Sequence, residues 1–226
     1  MIDWETARRN MVESQIRPNG VTDRRLIAAL LEVPRERFAA AGARPLAYCD
    51  EDIAVTEGDP DTPPRHLIAP MVFARMAQLA DISERDLVLD IGCATGYSSA
   101  VIARLAGSVV ALEELPELAD RAQSLFAEIG VDNVAVVQGP LHDGYPSQAP
   151  YDAIIIEGAV DEVPEALFGQ LGNGGRLVAV IRGAAIGRAH LFVRDGEHVG
   201  GRPAFDAAIP ALPGFARERG FVFHAG

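Results

Sequence analysis

The stretch Val88-Leu89-Asp90-Ile91-Gly92-Cys93-Ala94-Thr95-Gly96-Tyr97 runs from an apolar, β-type segment through small residues into a helix-forming one. A strand, a tight loop and a helix in that order let a bound nucleotide approach the backbone closely, and the helix start offers free N–H groups. The dinucleotide fingerprint needs glycine at three places, G-x-G-x-x-G. Here Ala94 and Tyr97 stand at the second and third, which argues against a dinucleotide, and no G-x-x-x-x-G-K-[ST] phosphate loop occurs. What remains is Asp90-x-Gly92-x-x-x-Gly96, an acid two residues before the first glycine. The next apolar segment, Val109-Val110-Ala111-Leu112, ends in Glu113 and Glu114. A carboxylate at that strand end can accept both hydroxyls of a ribose. The residues expected to line a nucleoside site are therefore Asp90, Gly92, Cys93, Ala94, Gly96, Tyr97, Glu113 and Glu114.

Outward from this loop, short apolar segments alternate with helical ones. Strands are expected at 87–91, 109–112, 134–137, 153–156 and 177–181, and helices at 97–105, 116–129 and 164–171. Such alternation implies an α/β fold with a parallel sheet covered on both faces. At the C-terminal side, residues 189–194 alternate in polarity and Asp195-Gly196 is a hairpin turn signal. Before the loop, residues 3–40 read as helices broken at Pro18-Asn19-Gly20, with Thr22 or Asp23 as the next cap. Residues 57–65 (EGDPDTPPR) read as an exposed loop, and 70–80 as a helix opened by Pro70. The expected architecture is a Rossmann-like, mostly parallel sheet closed by an antiparallel hairpin, with an N-terminal helical extension. It forms one domain over 1–226: extension and substrate-side loop 1–80, cofactor-binding core 81–185, hairpin and tail 186–226.

Composition narrows the function. The 226 residues carry 32 acidic against 20 basic side chains, a net charge of −12, so a nucleic-acid partner is not expected. The only cysteines, Cys49 and Cys93, have neither CxxC spacing nor paired histidines, so no metal site or disulfide is expected. The first ten residues, MIDWETARRN, hold no apolar signal core, and no apolar run approaches the length of a membrane span. A cytoplasmic monomer with no membrane partner is the expectation.

Several segments together resemble the protein-L-isoaspartate O-methyltransferases. They are Met11-Val12-Glu13-Ser14-Gln15-Ile16-Arg17, Val33-Pro34-Arg35-Glu36-Arg37-Phe38, Ala47-Tyr48 with Asp50, and 70–76. The glycine loop follows, then Pro150-Tyr151-Asp152-Ala153-Ile154-Ile155, Glu162-Val163-Pro164-Glu165-Ala166-Leu167 and Gly174-Gly175-Arg176-Leu177-Val178. The likeness implies an S-adenosylmethionine-dependent carboxyl O-methyltransferase, with S-adenosylhomocysteine as product. Its acceptor would be the free carboxylate of an isoaspartyl residue in a protein or peptide, as damage repair. An acidic strand end suits a cofactor that carries an ammonium and a sulfonium.

The chain departs from the family pattern at defined places. Ile68, in His66-Leu67-Ile68-Ala69-Pro70, stands where the family places a substrate-side serine; His66, Ile68, Ala69 and Pro70 are the acceptor-side candidates. After the third strand the family's Gly-Asp is Gly139-Pro140, followed by Leu141, His142 and Asp143; Gly139, Pro140 and Leu141 are expected beside the adenine. Ala94 replaces the middle glycine of the loop, and the 59–65 loop is longer than the family's turn. Glu157 ends the fourth strand, facing cofactor or acceptor, in Glu157-Gly158-Ala159-Val160, where the family has Thr-Ala-Gly-Ala. With the acceptor serine and the adenine-side acid replaced, two other readings stay open: a relative with a different methyl acceptor, or a non-catalytic cofactor-binding or interaction protein.

Overall fold

The computed structural model describes residues 2–58 and 63–216. Helix α1 (Trp4–Met11) starts where the Asp3 carboxylate accepts from the Thr6 N–H. It continues through a π-helical turn, Val12–Ile16, and a 3-10 turn, Arg17–Asn19, that ends at Gly20 with φ +82°. Asp23 then caps α2 (Arg24–Glu32), and α3 (Arg35–Phe38) follows. Two short strands, β1 (Ile53–Ala54) and β2 (His66–Leu67), pair antiparallel and lead into α4 (Pro70–Ala80).

The sheet comprises β3 (Leu87–Ile91), β4 (Ser108–Glu113), β5 (Val134–Gln138), β6 (Tyr151–Val160), β7 (Leu171–Ile181), β8 (Gly187–Asp195) and β9 (His198–Ala207). Helices α5 (Tyr97–Ile102), α6 (Pro116–Ile129) and α7 (Glu165–Gly169) connect its parallel part. Spatial order is β5-β4-β3-β6-β7-β8-β9; the first five are parallel and the last two antiparallel. The chain winds one way from β3 and the other way from β6. A crevice therefore opens outside the C-terminal ends of these two neighbours, the place where such sheets bind ligands.

Strand alternation splits the core into two layers. Val88, Ile155, Val178 and Val180 face Met11, Leu26, Phe73, Val101 and Phe126 of the helices. Leu89, Ile91, Ile154, Ile156 and Leu177 face Tyr151, Leu167, Leu171 and Leu212. This is the doubly covered, Rossmann-like sheet that the near-continuous apolar strands predict.

Four local expectations are corrected. The helix expected over 97–105 ends at Ile102, and the one over 164–171 ends at Gly169, where Gln170 closes the turn and Leu171 opens β7. His66, which loop sequence around the presumed cleft would place in a loop, lies in β2. Residues 59–62 of the proline-rich stretch lie outside the described residues, but Arg65 at its end is buried, not exposed. Among the described residues no helix is long and apolar enough to cross a membrane, and no cluster of three potential ligands could hold a metal ion.

Candidate nucleoside and methyl-transfer site

The loop after β3 has three left-handed residues in five: Gly92 (φ +79°), Ala94 (φ +52°) and Gly96 (φ +93°). Glycine adopts this region freely; alanine does so at a cost of about 1–2 kcal/mol. Ala94 is held there because its N–H donates to Glu113 Oε2 at 2.8 Å. Gly92 and Cys93 both donate to the Leu112 carbonyl, tying the loop to the end of β4. Helix α5, which follows, has only six residues.

Three acidic side chains gather here, all buried: Asp90, Glu113 and Glu157; Glu157 does not end its strand as expected but lies inside β6, just past its last pairing with β3 at Ile156. One oxygen of Asp90 accepts from the hydroxyls of Ser98 (2.7 Å) and Ser99; the other, Oδ1, is buried without a partner. Burial pushes the Asp90 carboxyl up to about 6, against the two serine donors that lower it. Glu157 also keeps a buried, unpartnered Oε1, and burial together with nearby Asp90 holds its proton well above the ordinary carboxylate range. The same burial, next to Asp90 and Glu113, pushes the Cys93 thiol well up. Glu113 is the exception. Its Oε1 accepts from Arg65 Nη1 (2.8 Å) and from the N–H groups of Glu114 and Leu115, while Oε2 accepts from Arg65 Nη2 (3.0 Å) besides Ala94. The carboxylate expected to await a ribose is thus already engaged by a guanidinium.

A cavity of about 10 Å³, enough for one water, lies between Arg35, His66, Ile68, Phe73, Tyr97 and Glu157. Arg35 is 1% exposed. It donates to the carbonyls of Ala47 (2.9 Å) and Ile68 (2.8 Å) and lies 4.6 Å over the Tyr97 ring. No carboxylate closes an ion pair with it among the described residues. Burial lowers its pKa, opposed by Tyr97 and then by Glu157. His66, half-buried, is likewise shifted down by burial.

The expected residues divide accordingly. Asp90, Gly92, Cys93, Ala94, Gly96, Glu113 and Glu157 cluster at the crevice. Tyr97 instead points into the helical layer, between Phe38 and Phe73. Glu114 and Pro140 are exposed, Gly139 is half-buried at the end of β5, and Leu141 is buried in the second core layer. Asp143 pairs with His142 (3.2 Å) at the surface. The N–H groups at the start of α4, Ala69 and Met71, already donate to Asp52 and Asp50. Arg35, Arg65 and Leu212 were not singled out as site residues by sequence. Arg35 sits in the family-like VPRERF segment, which was a usable signal; Arg65, among prolines, and Leu212, in the tail, carried none.

The sequence profile of the protein-L-isoaspartate(D-aspartate) O-methyltransferase family (PCMT) matches residues 6–200. The chain belongs to this family. A protein-L-isoaspartate O-methyltransferase of Methanoculleus marisnigri is 41% identical over 174 residues, 77% of this chain and 76% of its own. That of Methanoregula boonei is 38% identical over 190 residues, 84% and 85% of the two chains. Among solved structures, a protein-L-isoaspartate O-methyltransferase superposes with a TM-score of 0.81 at 27% identity, covering 92% of this chain and 67% of its own. A Plasmodium falciparum protein of the same description, solved with S-adenosyl-L-homocysteine, gives 0.74 at 16% identity over 95% of this chain and 100% of its own, a likeness of fold. The PCMT fold therefore accounts for the sheet, the hairpin and the N-terminal helices. O-methyl transfer dependent on S-adenosylmethionine is the chemistry of the family to which the chain belongs.

Proposed function

We propose that the protein methylates the free α-carboxylate of isoaspartyl residues in peptides or proteins, as a cytoplasmic monomer with no nucleic-acid or membrane partner. The observation that carries this reading is Arg35, a buried guanidinium with no ion-pair partner, hydrogen-bonded to the carbonyl of Ile68 at the acceptor position. A buried cation without a counter-charge favours an anion beside it. At the start of α4, the Ala69 and Met71 N–H groups are already used by Asp52 and Asp50. Burial and nearby Asp90 push the Glu157 carboxyl well up, which weakens its repulsion of an incoming carboxylate, and in its protonated form its O–H can donate where Ile68 cannot.

The donor set fits the cofactor: Asp90 offers a buried, unpartnered oxygen to a cationic ligand, and Glu113 stands at the ribose position. When bound, S-adenosylmethionine supplies an electrophilic methyl group. The acceptor is ionised at pH 7 and needs no general base. The chain's task is to orient two reactants in line and exclude water, which Ile68, Phe73 and Tyr97 do at the cavity wall.

A paired assay tests the activity. The wild type is expected to methylate an isoaspartyl peptide and leave its aspartyl isomer untouched, and Ile68→Ser should raise the rate by adding a hydroxyl donor. Two unmethylated peptides, with cofactor binding intact, would sink the reading. A second expectation follows from Asp90. Its raised pKa means the folded state holds this proton more tightly than the unfolded one. Its contribution to stability is therefore full below about pH 4 and lost as pH rises through about 6. A cation at Oδ1 favours the ionised form, so affinity for S-adenosylmethionine should rise as pH increases through that window, and Asp90→Asn should flatten the slope. A pH-independent dissociation constant in the wild type would detach Asp90 from the cationic end of the ligand.

A further inference from the structure

Two segments from opposite ends of the chain meet over Gly92. A Cβ added at Gly92 would lie 2.9 Å from Leu212 Cδ1 and 3.0 Å from Arg65 Nη2, and one at Gly158 would lie 2.8 Å from Leu212 Cβ. In a sheet of this winding, the first glycine after β3 is where a nucleoside approaches the backbone. Both residues are anchored there by their backbones. Arg65 is tied by its own backbone, through Val55 N–H to its carbonyl (2.8 Å) and its N–H to Thr56 Oγ1 (2.9 Å). Leu212 is tied by its N–H to the Ala159 carbonyl and by Ala159 N–H to the Pro210 carbonyl, both 2.8 Å, which adds a parallel bridge, Ala159 to Ala211, at the end of β6. The Arg65–Glu113 pair is bidentate, with the two side chains 3% and 0% exposed.

We propose that Arg65 and Leu212 are an internal occupant of the nucleoside crevice. Arg65 donates to Glu113 the two hydrogen bonds that a ribose diol would donate, and Leu212 fills the space over Gly92 and Gly158. This rests on the cofactor reading above. Both are thereby affinity-setting residues: the ligand binds only the fraction of molecules in which Arg65 has left Glu113 and Leu212 has left the glycines, and its apparent dissociation constant is raised by the inverse of that fraction.

The test is calorimetric titration of S-adenosylhomocysteine into the wild type, Arg65→Met and Leu212→Ala, with thermal midpoints of each ligand-free protein. Both variants are expected to bind about tenfold or more tightly than the wild type, while their ligand-free midpoints fall. Leu212→Ala keeps the Arg65–Glu113 pair and so reports even if Arg65→Met folds poorly. Equal or weaker binding in the variants, with measurable wild-type affinity, overturns the internal occupant and leaves the cofactor reading standing. No binding by any of the three chains overturns both.

Discussion

Replacing Glu113 with alanine is expected to cost the ligand-free protein about 3–5 kcal/mol, the usual penalty for leaving one member of a buried ion pair without its partner. Arg65 would keep its charge in a buried position, on a backbone tied to Val55 and Thr56. The N–H groups of Ala94, Glu114 and Leu115 would lose their acceptor at the same time, and Ala94 would lose what holds it in its left-handed conformation. The loss is specific to the unpaired cation. In the double variant Arg65→Met, Glu113→Gln the charge is removed and an acceptor is kept, so most of the stability should return. Denaturant unfolding of the wild type, Arg65→Met, Glu113→Gln and the double variant gives the coupling directly. A single-variant loss under about 1 kcal/mol would mean that the pair is solvated and weak.

The second large effect is expected at Gly96. Its φ of +93° is costly for any side chain, and an added Cβ would lie 2.5 Å from Phe126 Cζ and 3.1 Å from Ala122 Cβ. Both belong to α6 and are buried in the helical layer, so neither can move aside. Gly96→Ala combines left-handed strain of about 1–2 kcal/mol with overpacking of about 1–3 kcal/mol, for a total near 3 kcal/mol. Gly130 is the internal control: it has φ +69° but nothing within 4 Å of an added Cβ. Gly130→Ala should cost only the strain, about 1 kcal/mol. Equal losses at the two positions would show that the Phe126 contact relaxes freely.

What could be read from the sequence was what local chemistry decides. The 116–129 helix has its true bounds because Pro116 can only open a helix and Gly130 accepts the left-handed close. The Asp195-Gly196 turn joins β8 and β9 as its dipeptide signals. The 164–171 helix ended early for a tertiary reason: Leu171 leaves α7 to pair with Tyr151 in the sheet. The site was legible where acids sit at strand ends, since a strand end is a local feature. Arg65 was not, because an arginine among prolines reads as solvated, and only a partner 48 positions away in the chain buries it. Leu212 was hidden in the same way: its bond to Ala159 spans 53 residues (212 − 159) and leaves no periodic trace in the tail.

The hairpin of β8 and β9 reaches well beyond the core, and most of β9 is exposed. Its tip should accept almost any residue compatible with a turn, and even paired insertions, one on each strand, since these leave the base in step. Its base is different. Gly187 faces Ala207, and three residues later Pro210 begins the bonds that set Leu212 over the glycine loop. One residue gained or lost on β9 alone would deliver a neighbour of Leu212 to that spot. In this outlying arm, descent would be expected to guard the count of residues between Ala207 and Leu212 more strictly than their identities.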